Sequence, residues 1–98
     1  MTSDDHGACR CLLAARILCR DVTGEERRTL VELAARARDI DIDGLSGTVV
    51  IPIGSVSFGR LRPLIKRGAL LRIGGQVRGR VPYMIDVRAI PARRGVTA

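Results

Sequence analysis

Four side chains able to hold a metal stand close together near the start of the chain: His6, Cys9, Cys11 and Cys19, in the order H-x2-C-x-C-x7-C. Structural zinc modules pair closely spaced ligands, most often as C-x2-C, and that pairing is missing. Three cysteines, with none later in the chain, also give no disulfide framework. They are expected to be reduced thiols, some of them in the core, with no metal bound. Asp39, Asp41 and Asp43 share the opening alternation of a calcium loop. The twelfth position counted from Asp39 is Val50, where such a loop needs a bidentate glutamate. Catalysis fares no better. His6 is the sole histidine, no Ser or Cys sits in a nucleophile elbow, and neither a Walker loop nor G-x-G-x-x-G occurs. No catalytic residue and no cofactor is expected; the chain reads as a binding module.

What remains as a chemical signal is arginine. Of 17 basic residues, all but Lys66 are Arg, and they are unevenly spread. From Arg60 onward ten basic residues face the single acid Asp86, a net charge of +9, while residues 1–59 carry seven Arg and nine acids, a net of −2. The planar guanidinium fork grips phosphate or carboxylate with two parallel hydrogen bonds. A concentration of such groups on a small chain calls for an anionic partner. Phe58 and Tyr83 are the only aromatics, too few to stack successive bases of a single strand. Nucleic-acid contact would therefore run through backbone phosphates.

The elements that position these residues follow from periodicity. Ninety-eight residues at 46% apolar content fit one domain with one aliphatic core. Apolar residues at every odd position from Cys9 to Cys19 predict a half-buried strand. Thr23-Gly24-Glu25-Glu26 matches a capping box, opening a helix over about 24–38 whose apolar face includes Leu30, Leu33, Ala34 and Ala37, with Arg36 and Arg38 at its negative end. The aspartates of 39–43 solvate a strand or its approach and are available to pair with the basic half. Thr48 to Ile53 reads as a strand that Pro52 places at an edge or ends. Pro63 to Arg67 reads as a single turn stopped by Gly68, because a proline fits poorly inside a helix. Ala69–Ile73 and Gln76–Arg80 flank Gly74-Gly75 as a tight hairpin. Val81 to Ala89 alternates as a last strand. The predicted fold is α+β: a small single domain with one main helix packed on a mostly antiparallel sheet and a C-terminal β-hairpin, spanning residues 8–90 between a disordered N-terminus (1–7) and a basic flexible tail (91–98).

Leu64 to Tyr83, LIKRGALLRIGGQVRGRVPY, resembles the second half of the alpha-L RNA-binding motif of a small-subunit ribosomal protein and of pseudouridine synthases. Leu64, Ile65, Gly68, Gly75, Val77 and Pro82 occupy corresponding places over about 20 of the 98 residues. One extra residue lies between Gly68 and the turn, and Gly74 stands where the motif has Asn. The resemblance implies that Arg60, Arg62, Lys66 and Arg67 face RNA phosphates. The same stretch is also similar to the surface-presentation domain of flagellar-switch and type III secretion proteins, which implies an intertwined dimer.

The sequence thus points to a small basic protein contacting RNA or DNA phosphates through Arg60, Arg62, Lys66, Arg67, Arg72, Arg78, Arg80 and Arg88. The last four fall on the expected hairpin and final strand, so that the charge belongs to an ordered sheet face. The alternative is a protein-interaction or inhibitory module, for instance a phage-type inhibitor of a defence complex, binding an acidic protein surface. A homodimer through the hairpin edges is a third reading. An acidic, polar start and no apolar run of about 20 residues imply neither export nor a membrane partner, hence a cytoplasmic protein.

Overall fold

Three helices lie on one face of a three-stranded antiparallel sheet. A computed structural model describes residues 3–93, with side chains described from Cys9 onward. In chain order the elements are α1 (Ser3–Leu18), α2 (Gly24–Ala34), β1 (Ser46–Pro52), α3 (Phe58–Lys66), β2 (Leu70–Arg72), β3 (Arg80–Asp86) and a 3-10 turn (Val87–Ala89). The sheet order is β1-β3-β2, with the last strand in the centre. Val81, Tyr83 and Ile85 of β3 turn to the helices, as do Val49 and Ile51 of β1 and Leu70 of β2. The fold is a single α+β domain, as the composition and periodicity predict.

The first segment departs from expectation. Cys9–Cys19 is the second half of α1 and the turn after it, not a strand. Its buried residues are Leu13 and Ile17, four apart, with Cys9 half-buried one turn earlier; Cys11 and Cys19 are exposed, so the core is built without fully buried thiols. A run of alternating apolar residues contains the i, i+4 series too, and Leu12-Leu13-Ala14-Ala15-Arg16 strongly favours helix. α1 begins at Ser3, inside the stretch expected to be disordered.

α2 starts where its capping box puts it. Glu26 N–H donates to Thr23 Oγ1 (3.1 Å) and Thr23 N–H donates to Glu26 Oε1 (3.0 Å). It ends at Ala34, short of the expected 38, so Arg36 and Arg38 lie beyond it. Glu26 also holds Arg67 Nη2 at 3.3 Å, and Glu32 holds Arg60 Nη2 at 3.1 Å, while Arg60 Nε donates to Thr29 Oγ1. The acids of α2 therefore clasp α3. Asp39, Asp41 and Asp43, the acids expected to meet the basic half, form no ion pair among the described residues. They sit in a turn whose Gly44 has φ 70° and lies so close to Leu12 that a Cβ would overlap its Cγ.

α3 is a full helix from Phe58 with Pro63 inside it, where the sequence implied one turn. The proline forfeits one backbone bond, and burial of Leu61 and Leu64 outweighs that loss. After β3, Asp86 accepts from Arg88 N–H and turns the chain into the 3-10 segment, which ends the strand three residues before Ala89. Pro91 O accepts from Asp21 N–H, and Arg93 N–H donates to Cys19 O, so the first residues of the expected tail are fastened beside α1. The rest of that tail, 94–98, is outside the described residues, as are residues 1 and 2. Among the described residues no helix is long and apolar enough to cross a membrane.

Helix rather than strand at 9–19 has a direct check. Leu13→Ala should cost about 2–5 kcal/mol in urea unfolding, whereas Cys11→Ser, on the same face only if the segment were a strand, should stay within about 0.5 kcal/mol.

Candidate interaction surface

Among the described residues, no helix or strand covers the sheet face turned away from the helices. Antiparallel pairing sets Thr48, Val50 and Pro52 of β1 opposite Met84, Pro82 and Arg80 of β3, and Leu71 of β2 opposite Met84. Ile73 extends this face, its N–H donating to Pro82 O (3.0 Å). Proline at the centre of the sheet has no N–H to return, and β2 stops at Arg72 just before that gap. The result is an aliphatic floor in solvent. Val50 is 51% and Val77 66% exposed, and Leu71 and Ile73 are exposed beside them.

Arginines rim this floor, brought from both halves of the chain. The hairpin turns not at Gly74-Gly75, as the sequence implied, but at Arg78-Gly79. Val77 and Arg80 exchange both backbone bonds (2.9 and 3.0 Å), and Arg78 and Gly79 take φ values of 53° and 74°. Positive φ at both central residues is the two-residue hairpin geometry whose twist matches the strands. Gly74 is instead packed on Pro82, where a Cβ would meet Cγ at 3.0 Å. On the opposite side, Arg38 pairs with Thr48 along the outer edge of β1 through two backbone bonds of 2.7 and 2.8 Å. That pairing carries Arg36, Arg38 and Asp39 to the rim.

Two adjoining clefts result. Val50, Pro82, Val77, Arg78 and Arg80 line one; Arg36, Arg38, Asp39, Thr48 and Arg80 line the other, and they share Val50 and Arg80. None of Arg36, Arg38, Arg78 and Arg80 donates its guanidinium to a partner among the described residues. The only two non-glycine residues with left-handed backbone in the described chain, Asp39 and Arg78, both stand here. Such conformations cost an ordinary side chain about 1–2 kcal/mol.

The seven arginines and one lysine singled out by sequence do not form one surface. Arg60, Arg67 and Arg88 are spent on Glu32, Glu26 and Asp86. Arg62 and Lys66 are exposed on α3, on the helix layer. Arg72 lies at the β2 edge and donates to Gly74 O (3.0 Å). Arg88 is in the 3-10 turn rather than on a strand, beyond the end of β3 opposite Arg80, which over seven residues is about 20 Å away. Only Arg78 and Arg80 belong to the outer face. Arg36 and Arg38, which complete it, were assigned from sequence to a helix end that stops before them. Among the described residues no group of three or more His, Cys, Asp or Glu side chains is placed to hold a metal; the side chain of His6 is outside those described. Comparison with protein-family models, curated proteins and solved structures finds no match to this chain.

The turn geometry predicts that Arg78→Asn raises stability by about 0.5–1 kcal/mol, since Asn tolerates the left-handed region, while Gly79→Ala lowers it by about 1–2 kcal/mol. Urea midpoints of the two variants check both signs.

Proposed function

We propose that the chain is a binding module that docks its uncovered sheet face on an acidic protein surface. The observation that supports this reading is the pairing of an exposed aliphatic floor (Val50, Leu71, Ile73, Val77) with four arginines that form no ion pair among the described residues. Contiguous apolar surface with a polar rim is the mark of a protein contact. A phosphate backbone would leave that floor unsatisfied. Arg, unlike Lys, also suits bidentate gripping of Asp and Glu at the rim. Self-pairing through the same face would set arginine against arginine across a two-fold axis, which opposes a homodimer there.

Nucleic-acid binding is the competing reading. It draws on Arg62, Lys66 and the hairpin arginines, but three of the eight residues it calls on are already ion-paired.

A photo-crosslinking residue at Val77, used in the native cell, separates the two. The expected outcome is a covalent adduct with one acidic protein, its affinity for the purified chain falling by about 30-fold or more in the Arg38→Glu/Arg80→Glu variant, equivalent to about 2 kcal/mol. Adducts with RNA or DNA instead, together with retardation of duplex or single strands at about 50 mM salt that the same reversals abolish, would overturn the proposal.

A further inference from the structure

On the other side of the sheet, where β1 ends and α3 begins, a separate cleft of about 310 Å³ opens into the core. That volume is at the low end of ligand pockets, about 300–1,000 Å³. Its floor is aliphatic, from the buried Ile51, Leu61 and Val81. At its mouth stand Ile53 and Phe58, the latter 65% exposed although it is the only phenylalanine in the chain. An apolar ligand body would cover both.

Two polar features converge on this apolar cleft. Ser57, the N-cap residue of α3, lines it and makes no side-chain cap bond, and the first turn of α3 has no acid. Arg60 N–H and Leu61 N–H both donate to Ser57 O, at 3.0 and 3.3 Å, which leaves the N–H groups of Phe58 and Gly59 without an acceptor among the described residues. Independently, Tyr83 lines the cleft at 8% exposure, and its hydroxyl makes no hydrogen bond among the described residues and is not sealed from solvent, so a group in the cleft can meet it. Arg60, the nearest guanidinium in the helix, is held by Thr29 and Glu32 and is not available to the cleft. The positive end of a helix with free N–H donors and no cation beside it suits a single negative charge rather than a phosphate.

We propose that this cleft binds a small amphiphilic monocarboxylate, its alkyl or aryl body on Ile51, Leu61 and Val81, its carboxylate accepting from the start of α3 and from Ser57 or Tyr83. The proposal is independent of protein docking on the opposite sheet face. Gly59 supplies a clean competitor, because it is open to solvent with no atom within 4 Å of a Cβ and no positive φ. An aspartate there would place the chain's own carboxylate at the helix start.

Titration of the purified protein with octanoate, octanol and octylammonium, followed by amide chemical shifts, tests the proposal. Octanoate should shift the amides of Phe58, Gly59, Leu61 and Val81 and bind at least about ten-fold tighter than octanol, with octylammonium weakest. Gly59→Asp should weaken octanoate at least about ten-fold without lowering the melting temperature, and Tyr83→Phe should weaken it several-fold in a folded protein. Equal binding of octanol, shifts centred on Arg38 and Arg80, indifference to Gly59→Asp, or no saturable binding up to about 10 mM would each overturn it.

Discussion

One face of one sheet is all this chain can bury, and most other features follow from that limit. A domain of this size has one core, and the central strand decides where it lies: Val81, Tyr83 and Ile85 alternate onto the side where α1, α2 and α3 collect. Apolar burial places the helices, and polar contacts orient them. The Arg60–Glu32 pair is substantially exposed and contributes about 0–1 kcal/mol at most. Glu26 is different, since it is nearly buried and serves both the Thr23 cap and Arg67. Its loss would remove a cap and leave Arg67 short of its partner, so this carboxylate ties the start of α2 to the end of α3, while Arg60 joins the two helices through Thr29 and Glu32. With every described helix committed to one side, none of them covers the reverse face of the sheet.

The same contacts change the meaning of the net charge. A formal +7, concentrated as +9 after residue 59, suggests a polycation. In the folded chain Arg60, Arg67 and Arg88 are neutralised by carboxylates, and Arg10, Arg16, Arg20 and Arg72 donate to backbone carbonyls. Several of these reach across large sequence separations, as when Arg20 meets Ile90 O. Much of the arginine is thus structural, sewing helix ends and loops together. Of the guanidinium groups left without partners among the described residues, those of Arg36, Arg38, Arg78 and Arg80 lie around the bare face, while Arg28 and Arg62 stand on the helix layer.

How much of this was legible depended on whether the signal was local. The capping box opened α2 at the right residue, the alternation through Val81–Ile85 marked a strand, and Pro52 marked an edge. These are patterns within a few residues of one another. Cys9–Cys19 failed because a period of two over a stretch with Leu13 and Ile17 four apart satisfies both templates, and helix propensity had to decide. Pro63 misled because its local cost was weighed without the burial of Leu61 and Leu64 that only the folded core supplies. The hairpin turn was misplaced by four residues because Gly74-Gly75 is the better turn dipeptide locally, yet Gly74 is needed against Pro82 and the pairing of Val77 with Arg80 closes the reversal at Arg78-Gly79. At the candidate surface, Arg78 and Arg80 could be named from sequence. Arg36 and Arg38 could not, since a backbone pairing with Thr48 ten residues away brings them there.

An uncovered aliphatic sheet face would ordinarily be a hazard for a small protein, and the way this one is guarded bears on what it meets. Edge pairing is limited on both sides: β2 offers only three residues, Pro82 leaves a gap where it would lengthen, and Arg38 occupies part of the outer edge of β1 while Pro52 denies it a donor. The rim of the face is mostly arginine, with Asp39 the one acid lining its clefts, and that excess of positive charge opposes a second copy. Those devices disfavour self-association without covering the floor, which a chain under pressure only for solubility would achieve more simply by placing polar residues at Val50, Leu71, Ile73 and Val77. Retaining them apolar, beside Asp39 and Arg78 in left-handed backbone, is a cost in stability that makes physical sense when an unlike, acidic surface completes the second layer.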